Sequence, residues 1–333
     1  MKKKGSLGIF VLAGLMTLAS SASLQELQWP QYRGYDVPYV PTPPEVVDEM
    51  LRLAGVKAGD ILYDLGCGDG RIVIAAAKKS GIKAVGIDID PVRISESNEN
   101  AAKEGVADKV RFIQQNIFEA DFKDATVVTM YLLTSVNRRL RPRLLAELKP
   151  GTRLVSHSFD MGEWKPDKKS EITTSYDDRR GVHFWVVPAN VTGRWEWDLA
   201  DGPQNRHYTL QPTQQFQFLT ASGTAGDRPL TIHDIELAGD AIKFRADVEA
   251  NGKTVSFLYE GKVQGHTIVG TVKPADDPKA PAVKWKANRD PKTAEPLDKE
   301  VSDRLAAPYP WRDSTDVSPW SFSPGRTPLK KGP

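Results

Sequence analysis

The sequence has very little cysteine, and neither sign of charge is in excess. Cys67 is the only cysteine among 333 residues, which excludes an intramolecular disulfide framework and a thiolate-rich metal site. The five histidines are scattered without a His-x-x-x-His pair, so no metal centre is predicted. With 45 basic and 43 acidic residues, the formal net charge is only +2, which gives no electrostatic reason to expect a nucleic-acid partner.

Long hydrophobic runs are also missing, apart from a short one near the amino terminus. Lysines at positions 2–4 precede a mainly apolar stretch over residues 7–19, and small residues follow at 20–23. This order is typical of a secretory signal peptide, and an uncleaved membrane anchor at residues 1–23 is the alternative. Either interpretation predicts an exported, periplasmic or membrane-anchored protein, and an anchor adds membrane association through the N-terminus.

Residues 38–188 alternate between short apolar runs of strand type and helical patterns. This alternation predicts βαβ units around a mainly parallel sheet, an α/β fold. The predicted strands are residues 61–65, 83–89, 110–114, 125–132 and 152–158, and the predicted helices are 45–54, 71–79, 91–104 and 136–148. Two further runs, 171–176 and 181–187, flank a polar turn and predict an antiparallel hairpin that closes the sheet.

Residues 191–288 show no helical period and carry seven short runs of strand type instead. Turn pairs such as Asn251-Gly252 separate the runs, which predicts a small antiparallel β barrel or sandwich. The runs are residues 195–199, 214–219, 232–237, 241–248, 254–259, 266–272 and 283–287. Residues 192–197 weakly resemble the opening of lipocalin-like barrels, which implies either a ligand cavity or an interior filled by side chains. We expect a recognition or docking module, followed by a loose proline-rich tail over residues 289–333.

A glycine-rich turn between a predicted strand and a predicted helix carries the strongest functional signal. It is Asp64-Leu65-Gly66-Cys67-Gly68-Asp69-Gly70, in which the glycines permit a tight turn and close approach of a ligand. The phosphate-loop pattern is absent, and the dinucleotide fingerprint fails because Arg71 stands in place of its third glycine. The carboxylates of Asp64 and Asp69 would repel a pyrophosphate. They favour a positively charged ligand without phosphate, such as S-adenosylmethionine (SAM), which carries an ammonium and a sulfonium.

A second acid, Asp88, ends the next predicted strand, where sites of this class hold the ribose hydroxyls. Together these positions resemble the first and second motifs of the class I, seven-stranded SAM-dependent methyltransferases. The matching residues are Asp64, Gly66, Gly68, Gly70 and Asp88. The resemblance covers residues 38–188 and implies a Rossmann-like sheet with SAM as cofactor. It also places Asn116 and Ile117 where the family usually has an acid and an apolar residue beside the adenine.

A narrower resemblance is carried by Pro38-Tyr39-Val40-Pro41-Thr42 and by the stretch over residues 64–77. Both are similar to segments of the membrane-associated protein lysine methyltransferases, which include those acting on the c-subunit of ATP synthase. In that family the Tyr-Val-Pro-Thr segment lies against the cofactor. The resemblance therefore implies that Tyr39 and Thr42 contact SAM, and that the methyl acceptor is a protein lysine or, as the next alternative, a small molecule.

Tyr131 is the candidate residue on the acceptor side. It lies at the end of the predicted strand 125–132, at the carboxyl edge of the sheet, where open α/β folds bind ligands, and packing is its alternative role. This strand end lacks the Asn/Asp-Pro-Pro-Tyr/Phe signature typical of adenine amino-methyltransferases acting on DNA, which again argues against a nucleic-acid partner. No general base stands out, and none is required if burial keeps the acceptor amine neutral.

Several other residues have structural interpretations that compete with functional ones. Asp69 can cap the following helix, and Cys67 fits a small buried position better than a nucleophile. The arginines over residues 138–143 favour a solvated helix face, with an anionic lipid or acidic partner as the alternative. His157 and Trp164 belong either to the core or to the pocket rim. The alternative function is an exported, non-catalytic binding protein that retains the methyltransferase fold. The reason for this alternative is that the N-terminus predicts export, whereas SAM is made in the cytosol.

Overall fold

A seven-stranded sheet and a closed eight-stranded barrel make up the part of the chain that the computed structural model describes. The described residues are 36–201, 204–250, 252–277 and 279–298, and they belong to one compact unit. The predicted fold class is confirmed. The predicted signal or anchor segment, residues 1–23, and the predicted tail beyond residue 298 lie outside the described residues. Among the helices within those ranges, none has the length and hydropathy needed to cross a membrane.

The first part of the chain alternates strands and helices. Its elements are α1 (Pro44–Leu53), β1 (Ile61–Leu65), α2 (Arg71–Ser80), β2 (Lys83–Asp88), α3 (Pro91–Lys103), β3 (Val110–Gln114), β4 (Val127–Met130), α4 (Thr134–Glu147), β5 (Arg153–His157), β6 (Lys168–Thr173) and β7 (Arg179–Val186). The order in the sheet is β3-β2-β1-β4-β5-β7-β6. Strands β1 to β5 run parallel, whereas β7 is antiparallel to β5 and β6, as the predicted closing hairpin requires.

The central strands are almost wholly apolar because helices cover both faces of the sheet. Leu62 of β1 packs with Val46 of α1 and Val73 of α2 on one face. Leu65 of the same strand packs with Leu140 of α4 on the other face. The strand order reverses between β1 and β4, and in open α/β sheets ligands bind beyond the carboxyl ends of the strands at such a reversal.

The second part is an up-and-down barrel whose first and last strands close on each other. Its strands are β8 (Trp195–Asp201), β9 (Gln204–Gln215), β10 (Phe218–Ala225), β11 (Arg228–Ala238), β12 (Ala241–Ala250), β13 (Lys253–Gln264), β14 (Thr267–Pro274) and β15 (Val283–Arg289). Aromatic rings with centroids 4.7 to 6.0 Å apart fill the interior, namely Trp197, Tyr208, Phe244, Tyr259 and Trp285. They occupy the space that the lipocalin-like resemblance would give to a ligand.

One predicted barrel strand, residues 214–219, is wrong because it spans a turn. Phe216 and Gln217 separate β9 from β10, and Phe216 has a left-handed backbone with φ 55°. The barrel therefore has eight strands where the sequence indicated seven. The sequence pattern does not predict β9 as a separate strand. This strand is rich in glutamine and contains Pro212, and so lacks the apolar alternation that marks a half-buried strand.

Residues 289–298, the start of the predicted tail, pack against the folded body. The Arg289 guanidinium donates to the carbonyls of Asn190 and Thr192 at 2.8 and 3.0 Å. Asp298 is buried in an ion pair with Arg141 of α4, with an N–O distance of 2.5 Å. Composition alone predicts a loose segment. It does not reveal these polar contacts, because they join residues that are far apart in the sequence. The same ion pair corrects the expected solvated face of α4, since Arg141 is only 3% exposed.

Candidate functional site

The glycine turn between β1 and α2 requires glycine for two reasons. Gly66, Gly68 and Gly70 have φ angles of 80°, 55° and 79°, in the left-handed region that other residues rarely adopt. Space is also short, because a Cβ at Gly68 would lie 2.6 Å from Tyr39 Cε2, and one at Gly66 would lie 2.8 Å from Leu132 Cδ2. The turn therefore presents bare backbone, and Tyr39 lies directly against it.

Asp88, the last residue of β2, reaches across to the same turn. Its Oδ2 accepts a hydrogen bond from the Gly68 amide at 2.8 Å, and its Oδ1 accepts one from the Asp90 amide at 2.9 Å. Burial raises the pKa of this carboxyl, and the two amide donors oppose that shift. Asp88, the residue predicted to bind the ribose hydroxyls, thus lies beside the turn that is predicted to bind the cofactor.

Asp64 is a buried carboxylate that, among the described residues, has no cationic partner. It is 2% exposed, and its Oδ1 accepts a hydrogen bond from the Thr129 hydroxyl at 2.7 Å. Burial raises the pKa of Asp64 to about 7, and the nearby charges of Asp88 and Asp69 act in the same direction. An unpaired buried carboxylate is costly, and a cationic ligand would lower that cost. The residues present therefore fit SAM, through bare glycines for close approach and buried acids for its positive charge.

Asp69 does not contribute free negative charge to this site. The Arg71 guanidinium donates to both of its carboxylate oxygens, from Nε at 2.9 Å and from Nη2 at 2.6 Å. Although burial raises the pKa of Asp69, the Arg71 guanidinium outweighs that effect and lowers the pKa overall. The expectation that Asp69 attracts a cationic ligand is therefore wrong. Its Oδ1 also accepts from the Arg71 amide at 3.3 Å, but Gly70 occupies the N-cap position of α2, so Asp69 lies one residue before the cap and is not the capping residue.

Tyr131 and His157 form a stacked pair at the adjoining strand ends. Their ring centroids are 3.8 Å apart with an interplanar angle of 29°. His157 is fully buried; its Nδ1 lies 3.3 Å from the Thr42 hydroxyl, and its Nε2 has no hydrogen-bond partner among the described residues. Burial lowers the pKa of His157 to about 4, so the imidazole is neutral at pH 7. A buried neutral nitrogen without a partner indicates a place for a ligand donor.

The cofactor turn and the stacked pair share one edge and one face of the sheet. Asp64 of β1 is paired with Thr129 of β4 in the strand register. Because side chains alternate along a strand, Tyr131 points to the same face as Thr129. His157 joins this face through its contacts with Tyr131 and with Thr42, which lies two residues before the start of α1. The structure therefore brings Thr42, Tyr131 and His157 to the edge and face of the sheet that carry Asp64.

Asn116 and Ile117 lie two and three residues beyond the end of β3. The side-chain carbonyl of Asn116 accepts a hydrogen bond from the Phe118 amide at 3.0 Å, so it is engaged in a local turn. Ile117 is half-buried and packs against the core on the α4 face. Tyr39 is more open, with 44% of its surface exposed and the Arg93 guanidinium 4.3 Å from its ring centroid.

Two contributors to this site were not singled out from the sequence as functional. Thr129 has a detectable signal, since it lies two residues before Tyr131 and so shares its face. The sequence leaves open whether His157 belongs to the core or to the pocket rim. Its position at the end of β5 is the signal that favours the site. The pairing of Arg71 with Asp69 has no comparable signal, because an arginine at the start of a helix is compatible with many partners.

Known proteins show similarity to this region. A family model described as the ANTKMT methyltransferase domain matches residues 64–168, which include the glycine turn, Asp88 and the Tyr131–His157 pair. A protein from Saccharolobus islandicus (strain REY15A), named a protein-lysine N-methyltransferase, is 55% identical over 152 residues, covering 45% of this chain and 94% of that protein. The chain belongs to the class I SAM-dependent methyltransferase family.

Further similarities of this methyltransferase concern the same half of the chain. The ATP synthase C-subunit lysine N-methyltransferase of Xenopus laevis is 32% identical over 166 residues, which cover 50% of this chain and 72% of that protein. A solved structure described as an RNA methyltransferase from Salinibacter ruber in complex with S-adenosyl-L-homocysteine is 52% identical, covers 46% of this chain and 96% of that chain, and has a TM-score of 0.43. Family membership confirms the predicted enzyme class and its cofactor, SAM.

The buried acid of this methyltransferase predicts an unusual pH dependence of stability. Because the pKa of Asp64 is about 7 in the folded state and 3.8 ordinarily, the folded protein binds the extra proton between those values. The free energy of unfolding should therefore fall as pH rises from 4 to 7, by on the order of 1 kcal/mol per pH unit from this group. Urea unfolding across that range should show that Asp64→Asn, which keeps an acceptor for Thr129, removes this component.

The comparison of parent and variant reports Asp64 together with its interaction with Asp88, and it removes the contribution of His157. His157 acts in the opposite direction, since its lowered pKa makes stability rise with pH over about 4 to 6.5. That contribution is common to both proteins and cancels in their difference. Asp64→Asn should match the parent near pH 4 and exceed it in stability at pH 8. Parallel stability curves for the two proteins would contradict the burial of a charged carboxylate.

Proposed function

We propose that this enzyme transfers the methyl group of SAM to the side-chain amine of a protein lysine. The observation that supports this acceptor is the neutral, buried imidazole of His157 with its unpartnered Nε2 beside Tyr131. A lysine amine must be uncharged to act as a nucleophile, and a neutral imidazole accepts a hydrogen bond from it without adding charge. The relatives named protein-lysine N-methyltransferases support the same acceptor class.

The chain's residues divide the work between holding the cofactor and orienting the acceptor. When bound, SAM supplies a methyl group activated by its sulfonium. The glycine turn and Asp88 would hold the nucleoside, and the Asp64 carboxylate would offset the positive charge. Tyr131 and His157 orient an amine in a water-poor space, which supplies much of the rate enhancement for a displacement of this kind. With a pKa of about 4, His157 is too weak a base to remove the ammonium proton, so its role is orientation.

Replacing His157 with phenylalanine should separate acceptor binding from cofactor binding. The phenyl ring keeps the stack on Tyr131 but removes both ring nitrogens, the Nε2 acceptor and the Nδ1 contact to the Thr42 hydroxyl. Loss of one such hydrogen bond in a buried site lowers kcat/KM for the acceptor by about 10- to 100-fold. The dissociation constant for SAM, measured by calorimetry, should stay within about twofold of the parent.

His183 provides the matched control for that substitution. It lies on β7 opposite Ser156, and therefore faces away from the sheet surface that carries His157. Its half-buried imidazole also lacks a partner at Nδ1 among the described residues, so His183 resembles His157 in having an unpaired ring nitrogen but lies on the opposite face. His183→Phe should leave kcat/KM unchanged. An equal loss in both variants would show that His157 acts through general stability and not at the acceptor.

The acceptor class itself is tested with SAM carrying a deuterated methyl group. The full-length protein is incubated with a cell extract, and protein digests, RNA and small molecules are each analysed by mass spectrometry for the heavy methyl. We expect trideuteromethyl lysine, absent when the Asp88→Ala variant is used. Label confined to RNA or to a small molecule would overturn the lysine proposal, and SAM binding without any transfer would favour the non-catalytic binding protein.

We further propose that residues 1–23 direct export or anchor the protein in a membrane. The basic, apolar and small-residue segments of this stretch support the proposal, although SAM is made in the cytosol. Cell fractionation combined with sequencing of the mature N-terminus tests it. A cytosolic protein that keeps its first residues would contradict export and would remove the conflict with the supply of SAM.

A further inference from the structure

The loop that follows β5, residues 158–164, runs from the stacked pair to the barrel. At its near end the Phe159 ring lies 5.9 Å from the Tyr131 ring, with an interplanar angle of 27°. Asn137 of α4 donates hydrogen bonds to the carbonyls of Phe159 and Asp160 at 3.3 and 3.1 Å. At the far end Trp164 is fully buried. One short loop therefore contacts both the proposed acceptor pocket and the interior next to the barrel.

The turn between β9 and β10 holds the far end of this loop. Trp164 Nε1 donates to Gln217 Oε1 at 3.0 Å, and Gln217 Nε2 donates to the Lys165 carbonyl at 2.8 Å. The Phe216 ring stacks on Trp164 with centroids 5.8 Å apart and an interplanar angle of 17°. Phe216 adopts φ 55° to do so, a conformation that is rare for a bulky residue and is retained where surrounding contacts hold it.

A second attachment comes from Arg141 of α4, which also pairs with the chain beyond the last barrel strand. Arg141 of α4 donates from Nη1 to the Met161 carbonyl at 2.7 Å and from Nε to Asp298 at 2.5 Å. Glu163 of the loop also pairs with Arg141 at 2.7 Å. Arg141 and Asp298 are both buried, so their ion pair is shielded from water, whereas the Glu163 side chain is exposed. The loop is thus held directly by the β9–β10 turn and by Arg141 of α4, and Asp298 contacts it only through Arg141.

We propose that the barrel is a positioning domain for methyl transfer, in which Phe216 and Gln217 fix the loop that carries Phe159 to Tyr131. The inference rests on the proposed function only in taking Tyr131 as the acceptor side. Phe216 and Gln217 are positioning residues, since they act through Trp164 and the loop. The barrel's own interior is filled with aromatic side chains, which leaves its turn and outer surface for this task.

The contacts of Phe216 and Gln217 with Trp164 and Lys165 are called the brace below. Hydrogen exchange on the full-length protein tests the brace without requiring any substrate. Gln217→Ala removes the acceptor for Trp164 and the donor to Lys165, so backbone amides in residues 158–164 should exchange about fivefold faster. Amides of the glycine turn, residues 66–70, should be unaffected. Trp164→Phe removes the same bond from the other side, and the double variant should exceed the larger single effect only slightly.

Gln215→Ala is the matched control, because Gln215 ends β9 on the same hairpin and its side chain is exposed. It should leave exchange in residues 158–164 at the parental rate. Unchanged exchange in both Gln217→Ala and Trp164→Phe would overturn the brace, whether or not the enzyme methylates lysine. Equal acceleration in Gln215→Ala would also overturn it.

Kinetics with the identified acceptor then show what the brace does. Gln217→Ala should lower kcat/KM for the acceptor by about three- to tenfold, while the dissociation constant for SAM stays parental. A purely structural role would weaken both to a similar degree. Faster exchange with unchanged acceptor kinetics would remove the positioning role. Failure of the lysine proposal can be distinguished from failure of the positioning role. It would appear as missing heavy methyl on lysine in the labelling experiment, and it would not change the hydrogen-exchange result.

Discussion

Replacing Asp88 with alanine should weaken SAM binding about 100-fold while the protein remains folded. The Asp88 carboxylate lies at the glycine turn, where it accepts from the Gly68 and Asp90 amides. The resemblance to the family's second motif implies that it accepts the ribose hydroxyls, and a hydrogen bond to a charged group contributes about 1.5 to 3 kcal/mol. The loss of about 3 kcal/mol corresponds to about two orders of magnitude in the dissociation constant, measured by calorimetry.

Asp121→Ala is the control for that measurement. Asp121 is an exposed carboxylate whose nearest cation is Lys123 at 3.9 Å, so its removal should change SAM affinity by less than about twofold. Thermal unfolding of the Asp88→Ala variant shows whether the turn survives the loss of its two amide contacts. A folded Asp88→Ala protein that binds SAM as tightly as the parent would contradict the assignment of this acid to the cofactor.

Gly70→Ala should reduce the free energy of unfolding by about 2 to 4 kcal/mol. Gly70 has φ 79°, which costs an alanine about 1 kcal/mol or more, and an added Cβ would lie 2.7 Å from two ring atoms of Phe112. Phe112 packs against the core, so the clash adds the cost of overpacking, about 1 to 3 kcal/mol. Urea denaturation gives the difference directly.

Gly81 lies just beyond the other end of α2 and separates the two causes. Its φ is 64°, also left-handed, but a Cβ there would meet no atom of the described residues within 4 Å. Gly81→Ala should therefore cost only the conformational part, about 1 kcal/mol. Equal losses at both positions would show that the backbone conformation alone requires glycine in the turn and that Phe112 adjusts without cost.

Local patterns are sufficient to predict much of the sheet. Strands β1 and β3 begin and end at the predicted residues, because each is a short apolar run bounded by turn residues. The glycine turn and Asp88 could also be located from the sequence, since their role depends on spacing along one βαβ unit. Tyr131 follows from its place at a strand end.

Contacts between distant segments explain what the sequence patterns missed. Trp164 and Gln217 are 53 residues apart and pair only after the sheet and the barrel have both formed. Arg141 and Asp298 are 157 residues apart, and nothing in the arginine-rich stretch distinguishes the buried arginine from its exposed neighbours. The sequence predicts a strand across the β9–β10 turn for the same reason. Phe216 in this turn is apolar because it packs on Trp164 in the first half of the chain.

A crystal structure of the full-length protein with S-adenosyl-L-homocysteine tests most directly whether this edge of the sheet is the methyl-transfer site. We expect the ribose hydroxyls on the Asp88 carboxylate, and the sulfur facing the Tyr131–His157 pair. A nucleoside bound away from Asp88, or a sulfur atom turned toward the α4 face of the sheet, would contradict the assignment of both the cofactor and the acceptor side.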